Sequence, residues 1–396
     1  MIARNHISAI RLALDLFPGV LVRGARHVGK TTLARWLWPD AQYISLDDPA
    51  QAAAANREPD RFLAERAEPV ILDDIQYAPG LFRHLRRVMD DDRRPGRFLL
   101  IGLQALGPIA GASELLAGRA AVFSLPPLCL DEVLASSPDV PPDEVLWRSG
   151  FPELWRRPDL DRDLWLGSYV ATFLERDVRQ ALNVGDLRGF DRLLRAAAVR
   201  VGQLVSYAEL ARDSGISPNT AKRWLSVLAA SQQVFLLEPY PRQRTKRLIK
   251  APKLYFADTG LLCSLIGFRQ PGDVQSHALW GGVWENFVVS EVRKRLLARP
   301  GPAPLWFWRT AQGDEVDLLV ESAPETFVAV ECRAAERVSA ADLKGIRQLA
   351  AEYGPKSISH ARIACRTGES YPVDAPFDAR AAPLSGLDGL LAELAG

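Results

Sequence analysis

Leu21-Val22-Arg23-Gly24-Ala25-Arg26-His27-Val28-Gly29-Lys30-Thr31-Thr32-Leu33 decides how the first third of this chain folds. Gly24 to Thr31 fits G-x-x-x-x-G-K-[ST] at every fixed position. The stretch follows an apolar run, Gly19–Gly24, and opens a helical pattern at "TTLARWLW". Strand, glycine loop and helix in that order are what a phosphate-binding loop requires. The glycines let the backbone N–H groups of Gly24, Ala25, Arg26, His27, Val28, Gly29, Lys30, Thr31 and Thr32 turn towards phosphate oxygens. The helix N-terminus adds the positive end of its dipole. Lys30 is expected on the β- and γ-phosphates and the Thr31 hydroxyl on magnesium, so ATP and Mg²⁺ are the expected cofactors.

Working outward, apolar runs recur at Gln42–Asp48, Glu68–Gln76, Arg97–Gln104 and Ala120–Leu128, with helical stretches between them. Continuous apolar strands predict a parallel sheet covered on both faces, an α/β core. "VILDDIQ" supplies the acids such a core needs: Asp73 to hold magnesium and Asp74 to act as base on the attacking water. The strand at "FLLIGLQ" is expected between the other two, with Gln104 the polar residue at its end.

The chain has 396 residues, with 48% hydrophobic and 24% charged residues and a net charge of +1. That length predicts two or three domains, and the charge excludes a global field for nucleic acid or membrane. Cys129, Cys263, Cys332 and Cys365 form no C-x-x-C pair, which argues against zinc and disulfides and fits the cytoplasm. No uninterrupted apolar run approaches the ~18 residues of a membrane span. "SSPDVPPDE" (136–144) reads as a linker.

"GARHVGKTTL", "VILDDIQYAP", "LLAGRAAVFSLPPLCLDE", "FLERDV", "KAPKLYFADTGLL", "GGVWENFVVSEV" and "WFWRTAQGDEVDLLVE" occur in that order along nearly the whole chain. In this the sequence resembles bacterial and archaeal AAA-type ATP-binding proteins with a C-terminal DUF4143 domain. The resemblance implies an AAA+/P-loop NTPase core with a parallel sheet, a helical and winged-helix segment, and an α/β restriction-endonuclease-like C-terminal domain. The expected borders are 1–135, 145–203 (lid-like helices), 204–268 (winged helix) and 275–396. Two places depart from the family pattern. Its usual D-E-I-Q is Asp73-Asp74-Ile75-Gln76, and its usual L-T-G-S-Q is Leu100-Ile101-Gly102-Leu103-Gln104. The base is one methylene shorter and two hydroxyls are gone, which predicts intact binding and slowed hydrolysis. Arg119 in "AGRA" is the candidate charge-stabilising arginine, in cis or towards a neighbouring subunit.

Ser217-Pro218 is a helix start, with Ala221, Trp224, Leu225 and Leu228 forming its core stripe. Asn219, Lys222 and Arg223 then face away, as on a helix that reads DNA. "PRQRTKRLIKAPK" carries Arg242, Arg244, Lys246, Arg247, Lys250 and Lys253 without an acid, a basic wing for phosphates or, for Arg244, Lys246 and Arg247, a surface facing the nucleotide or a neighbouring ATPase core.

The resemblance places Glu285, Asp317 and Glu331 on the acidic positions of a PD-(D/E)xK-type fold. There the acids hold magnesium beside a scissile phosphate. Arg333 stands where the lysine belongs, and arginine lacks a tunable point charge. Glu315 and Glu321 read as solvated strand-end acids, and Trp306 and Trp308 as sheet packing. The functional expectation is a weak or regulated ATPase that acts as a nucleotide-dependent switch on double-stranded DNA or a partner protein, with homo-oligomers possible in principle and no membrane. An ATP-gated nuclease and a scaffold without hydrolysis remain the alternatives.

Overall fold

The computed structural model describes residues 1–103, 116–179, 185–241, 250–299 and 305–384. Five strands, β1 (Gly19–Arg23), β2 (Gln42–Ser45), β3 (Val70–Asp73), β4 (Phe98–Gly102) and β5 (Ala120–Ser124), form one parallel sheet in the order β2-β3-β4-β1-β5. Strand β4 lies between β3 and β1, as the sequence predicts. Side chains alternate along these strands, and both faces are buried. Val20, Val22, Leu99 and Ile101 join one apolar cluster, and Leu21, Val70, Leu72 and Leu100 join another. Both faces of the sheet are therefore covered, which accounts for the unbroken apolar runs. The order turns back at β1, and the crevice beyond the strand ends at such a point is where α/β sheets take ligands.

Helix α1 (Lys30–Leu37) follows β1 directly. The break at 136–144 narrows to a few residues, because helices Leu130–Ser136 and Pro142–Arg148 flank it. Helix α2 (Arg162–Thr172) runs into a π-helical turn, Phe173–Val178. Then come α3 (Leu187–Ala198), α4 (Tyr207–Ser214) and α5 (Pro218–Ala230). The turn between α4 and α5 uses Gly215 at φ 67°, and the Ser217 hydroxyl accepts the Thr220 N–H at 3.1 Å. Strands β6 (Val234–Leu237) and β7 (Lys253–Phe256) pair antiparallel behind these helices.

Helix α6 (Trp280–Leu297) leads into a mixed sheet of β8 (Leu305–Arg309), β9 (Glu315–Ala323), β10 (Thr326–Cys332), β11 (Ile358–Ala364), β12 (Tyr371–Pro372) and β13 (Ala379–Ala382), ordered β12-β13-β11-β10-β9-β8. Helix α7 (Lys344–Tyr353) packs on it. Phe307 and Trp308 are buried in this sheet. The three regions share one apolar cluster that includes Ile101, Phe190, Trp224, Phe287 and Val328. Polar contacts cross as well. Lys294 on α6 donates to the Leu128 carbonyl at 3.0 Å, and Glu291 accepts the Leu130 N–H at 2.6 Å. No described helix is long and apolar enough to cross a membrane.

Candidate functional site

The loop between β1 and α1 has the backbone a phosphate cradle needs. Gly29 sits at φ 93°, a conformation that costs glycine little and other residues more. A Cβ on Gly24 would stand 2.4 Å from the Leu125 carbonyl oxygen, so only glycine fits there. Lys30 folds back onto its own loop, donating to the carbonyls of Ala25 (2.7 Å) and Gly24 (3.1 Å). Burial lowers its pKa to about 8, against the pull of Asp74 and Asp73. The Thr31 hydroxyl donates to Asp73 Oδ2 at 2.5 Å, and the Tyr43 hydroxyl to the same oxygen at 3.0 Å. Asp73 is buried at the end of β3.

Asp74 follows in the left-handed region, φ 56° and ψ 43°, which aspartate tolerates better than most residues. Gln76 fixes its carboxylate. Its Nε2 donates to Asp74 Oδ1 at 2.7 Å, while its Oε1 accepts the Leu103 N–H at 3.2 Å. Burial raises the Asp74 pKa, with its neighbour Asp73 adding to the effect. Lys30, Thr31, Asp73 and Asp74 thus lie together at the carboxyl ends of β1 and β3. Ile101 and Leu103 are buried there and bring no hydroxyl. Gln104 lies outside the described residues. A cavity of about 470 Å³ opens beside the loop, lined by Ile2, Arg4, His27, Thr32 and Trp165 among others. The His27 ring meets Trp165 edge-on at 5.9 Å. Val28 is buried against the core. Glycine backbone, amine, hydroxyl, acids and adjoining space together fit a magnesium-bound nucleotide.

Arg119 does not join this group in cis. It precedes β5 at the amino end of the sheet, where its main-chain oxygen accepts the Gly19 N–H at 3.2 Å. Five residues of strand, roughly 16 Å, separate that end from Gly24. Its guanidinium makes a two-point contact with Asp90 at 2.7 and 2.8 Å.

On α5 the side chains of Asn219, Lys222 and Arg223 are exposed, while Ala221, Trp224, Leu225 and Leu228 are buried. Arg242, Arg244, Lys246 and Arg247 lie outside the described residues. Lys253 does not belong to a solvated basic wing. It begins β7, is 2% exposed, and points into the C-terminal acids. Its Nζ lies 2.7 Å from Glu285 and 3.7 Å from Asp317, and is also paired with Glu315. Glu315 is therefore a member of the cluster, held further by Arg309, and not a solvated strand-end acid. Glu321 accepts from the Tyr240 hydroxyl at 2.8 Å.

The C-terminal acids do converge. Glu285 comes from α6, Glu315 and Asp317 from β9, and their oxygens lie within 4.8 Å of one another. Tyr255 donates its hydroxyl to Glu285 at 2.6 Å. Arg333 bridges Glu331 (3.0 Å) and Asp317 (3.3 Å). Burial and the charge of Asp317 push Glu285 up to about 7 and Glu331 up to about 9. Burial disfavours the Lys253 ammonium, but the carboxylates of Glu285, Asp317 and Glu315 outweigh it and raise its pKa. A cation is thus already seated among these acids, and it belongs to the chain. The residues that sequence reading missed are Gln76, Lys253 and Tyr255. The alternation of Lys253 and Tyr255 on one short strand marks a shared face, but nothing local names the acids they meet.

A model of an AAA domain matches residues 17–134, one of a domain of unknown function (DUF8612) residues 142–272, and one of a domain of unknown function (DUF4143) residues 280–385. The uncharacterized protein Rv2008c of Mycobacterium tuberculosis is 35% identical over 322 residues, which span 80% of this chain and 71% of that protein. The uncharacterized protein Mb2031c of Mycobacterium bovis matches with the same values. Among solved structures, the Walker-type ATPase paby2304 of Pyrococcus abyssi superposes with a TM-score of 0.43 at 17% identity, covering 67% of this chain and 96% of that one. RuvB of Thermotoga maritima gives a TM-score of 0.30 at 19% identity, covering 60% and 89%. Likeness at these scores carries no argument about function.

Proposed function

The chain belongs to the family of AAA-domain proteins with a C-terminal DUF4143 domain, and on that premise we propose that it is an ATP-binding switch with slow ATP hydrolysis, acting on double-stranded DNA. The observation that carries this reading is the joining of Thr31 to Asp73 at 2.5 Å, beside Lys30 and Asp74. In the proposed mechanism the loop N–H groups and the start of α1 take the phosphates. Lys30 leaves the Gly24 and Ala25 carbonyls for the β- and γ-phosphate oxygens. Thr31 and Asp73 would hold Mg²⁺, which when bound neutralises charge on those oxygens. Asp74 accepts a proton from the attacking water and is kept in place by Gln76.

Slow turnover follows from the same residues. Asp74 is one methylene shorter than the family's glutamate, and a base misplaced by about 1 Å costs on the order of 10²-fold. Ile101 and Leu103 offer no hydrogen bond to a phosphate or a water. The outward face of α5, with Asn219, Lys222 and Arg223, is the surface we assign to DNA. Phosphate release by wild type, Lys30→Ala and Asp74→Glu, alongside nucleotide binding by calorimetry, tests the reading. A wild type that binds no ATP would sink it. Binding without any turnover in either wild type or Asp74→Glu would favour a scaffold.

A nuclease reading is favoured by the convergence of Glu285, Glu315 and Asp317, with Glu331 joined to Asp317 through Arg333. It is opposed by Lys253, which fills the space among the acids, and by Arg333 in the lysine position. DNA incubated with Mg²⁺ or Mn²⁺ decides it: cutting that disappears with Asp317→Ala would restore the nuclease.

A further inference from the structure

The phosphate loop is held by chain that lies outside the sheet carrying it. Arg26 Nε pairs with both oxygens of Asp177, at 2.8 and 2.9 Å, and its Nη2 adds a contact at 2.8 Å. One residue earlier, the Ala25 N–H donates to Gln232 Oε1 at 3.1 Å. Asp177 belongs to the π-helical turn after α2, and π-helical turns recur at functional sites. Gln232 belongs to the turn between α5 and β6.

Both partners are built into their surroundings. Asp177 is 6% exposed and Gln232 is 8% exposed. Gln232 has φ 59°, a left-handed backbone that few residues with a side chain adopt. Its neighbour Gln233 is clamped, donating to the Tyr169 hydroxyl at 3.0 Å and to the Ser231 carbonyl at 3.1 Å. The turn is thereby fixed with the Gln232 side chain against the loop. Lys30 Nζ donates to the carbonyl of Ala25, the residue next to Arg26, so Arg26 belongs to the part of the loop that the phosphate-binding amine already reaches. Burial works against its charge, and Asp177 outweighs that and raises its pKa.

A guanidinium forms two-point contacts with carboxylate and with phosphate equally well, so the two compete for one Arg. We propose that Arg26 is contested between Asp177 and the terminal phosphate of ATP, with Gln232 holding the loop in register beside it. ATP draws Arg26 from Asp177 and loosens the π-helical turn, while ADP leaves the pair intact. Asp177 and Gln232 are positioning residues, and the nucleotide state passes through them to α2 and α5. This rests on the nucleotide reading above and adds the route by which the bound state leaves the loop.

The test uses the full chain with Mg²⁺, ATP and ADP. Asp177→Asn frees Arg26, so ATP is expected to bind about tenfold tighter, one charge-assisted contact, with ADP changed by less than about twofold. Arg26→Gln is expected to erase the preference of Asp177→Asn for ATP while ADP still binds. In wild type, ATP and not ADP should speed amide exchange across residues 172–179 and 231–234. Asp177→Asn should show that faster exchange with no nucleotide. If ATP saturates wild type yet exchange there matches the ADP state, the proposal is overturned. Equal shifts of ATP and ADP affinity in Asp177→Asn overturn it too. Should that variant fail to fold, Gln232→Ala with the same exchange readout takes its place, and an unchanged ATP response then counts against the proposal. Absence of ATP binding in wild type overturns the nucleotide reading itself, a separate result.

Discussion

Thr31 donates its hydroxyl proton to Asp73 across 2.5 Å, tying the first turn of α1 to the end of β3. A hydroxyl and a carboxylate that share one proton in the free chain are the pair expected to share a metal ion when nucleotide is bound. Lys30→Ala is expected to weaken ATP by on the order of a hundredfold, because the β- and γ-phosphates each lose a charge-assisted hydrogen bond. Thr31→Ala is expected to reduce the gain that magnesium gives to ATP affinity and to leave magnesium-free ADP binding in place. Calorimetry with and without the metal checks both.

Asp74 should govern turnover and leave affinity alone. Asp74→Glu is expected to raise phosphate release by up to about a hundredfold, and Asp74→Asn to abolish it, each with ATP affinity near wild type. Burial raises the Asp74 pKa, so its carboxylate is protonated at a higher pH than an ordinary aspartate. The base form is needed, hence hydrolysis falls as pH drops through that raised value. Gln76→Ala is expected to slow hydrolysis at every pH by freeing the carboxylate. A pH–rate profile of the three chains checks the order.

Lys253→Met removes the cation from among Glu285, Glu315 and Asp317. Breaking such a buried pair costs about 3–5 kcal/mol. Glu285→Gln added to Lys253→Met should recover part of the loss. In wild type the sign with pH is set by acids whose folded pKa is raised, from 4.5 to about 7 for Glu285 and to about 9 for Glu331. The folded chain binds more protons than the unfolded one across that window. These two groups therefore lower stability progressively as pH rises from about 4.5 to about 9. Thermal unfolding at pH 5, 7 and 9 should follow that order if these acids dominate, and the Lys253→Met deficit should be smallest at the acid end.

Lys222 and Arg223 stand exposed on α5. A Lys222→Ala/Arg223→Ala chain is expected to lose DNA affinity and to lower the slope of log affinity against log salt by about 2. Mobility shift across a salt series reads both numbers. An unchanged slope removes α5 from the interface.

The phosphate loop and the acids of β3 were legible because their spacing is dictated by one ligand over a short stretch of chain. The strand positions were legible because burial on both faces leaves an unbroken apolar signature. The cap at Ser217 and the turn at Gly215 were legible for the same local reason. The cis reading of Arg119 failed because a guanidinium beside a strand carries no mark of which end of the strand it occupies. Lys253 misled because a lysine in a basic run reads as solvated until the fold brings carboxylates to it. The partnership of Asp177 and Gln232 with the phosphate loop could not be read, since the loop is about 150 and 210 residues away; Asp177 lies in the quoted "FLERDV", but nothing in that stretch names Arg26 as its partner.

The seat of Lys253 among the acids bears on how this protein can be divided. A fragment cut between residues 268 and 275 keeps Glu285, Glu315 and Asp317 and leaves their counter-cation on the other piece. Such a fragment would carry an uncompensated negative pocket, take up protons or free metal to quiet it, and report a metal affinity higher than that of the intact chain. Biochemistry on the isolated C-terminal piece would then describe an artefact of the scissors, and gene fusions that swap this piece between relatives would need to bring β7 along with it.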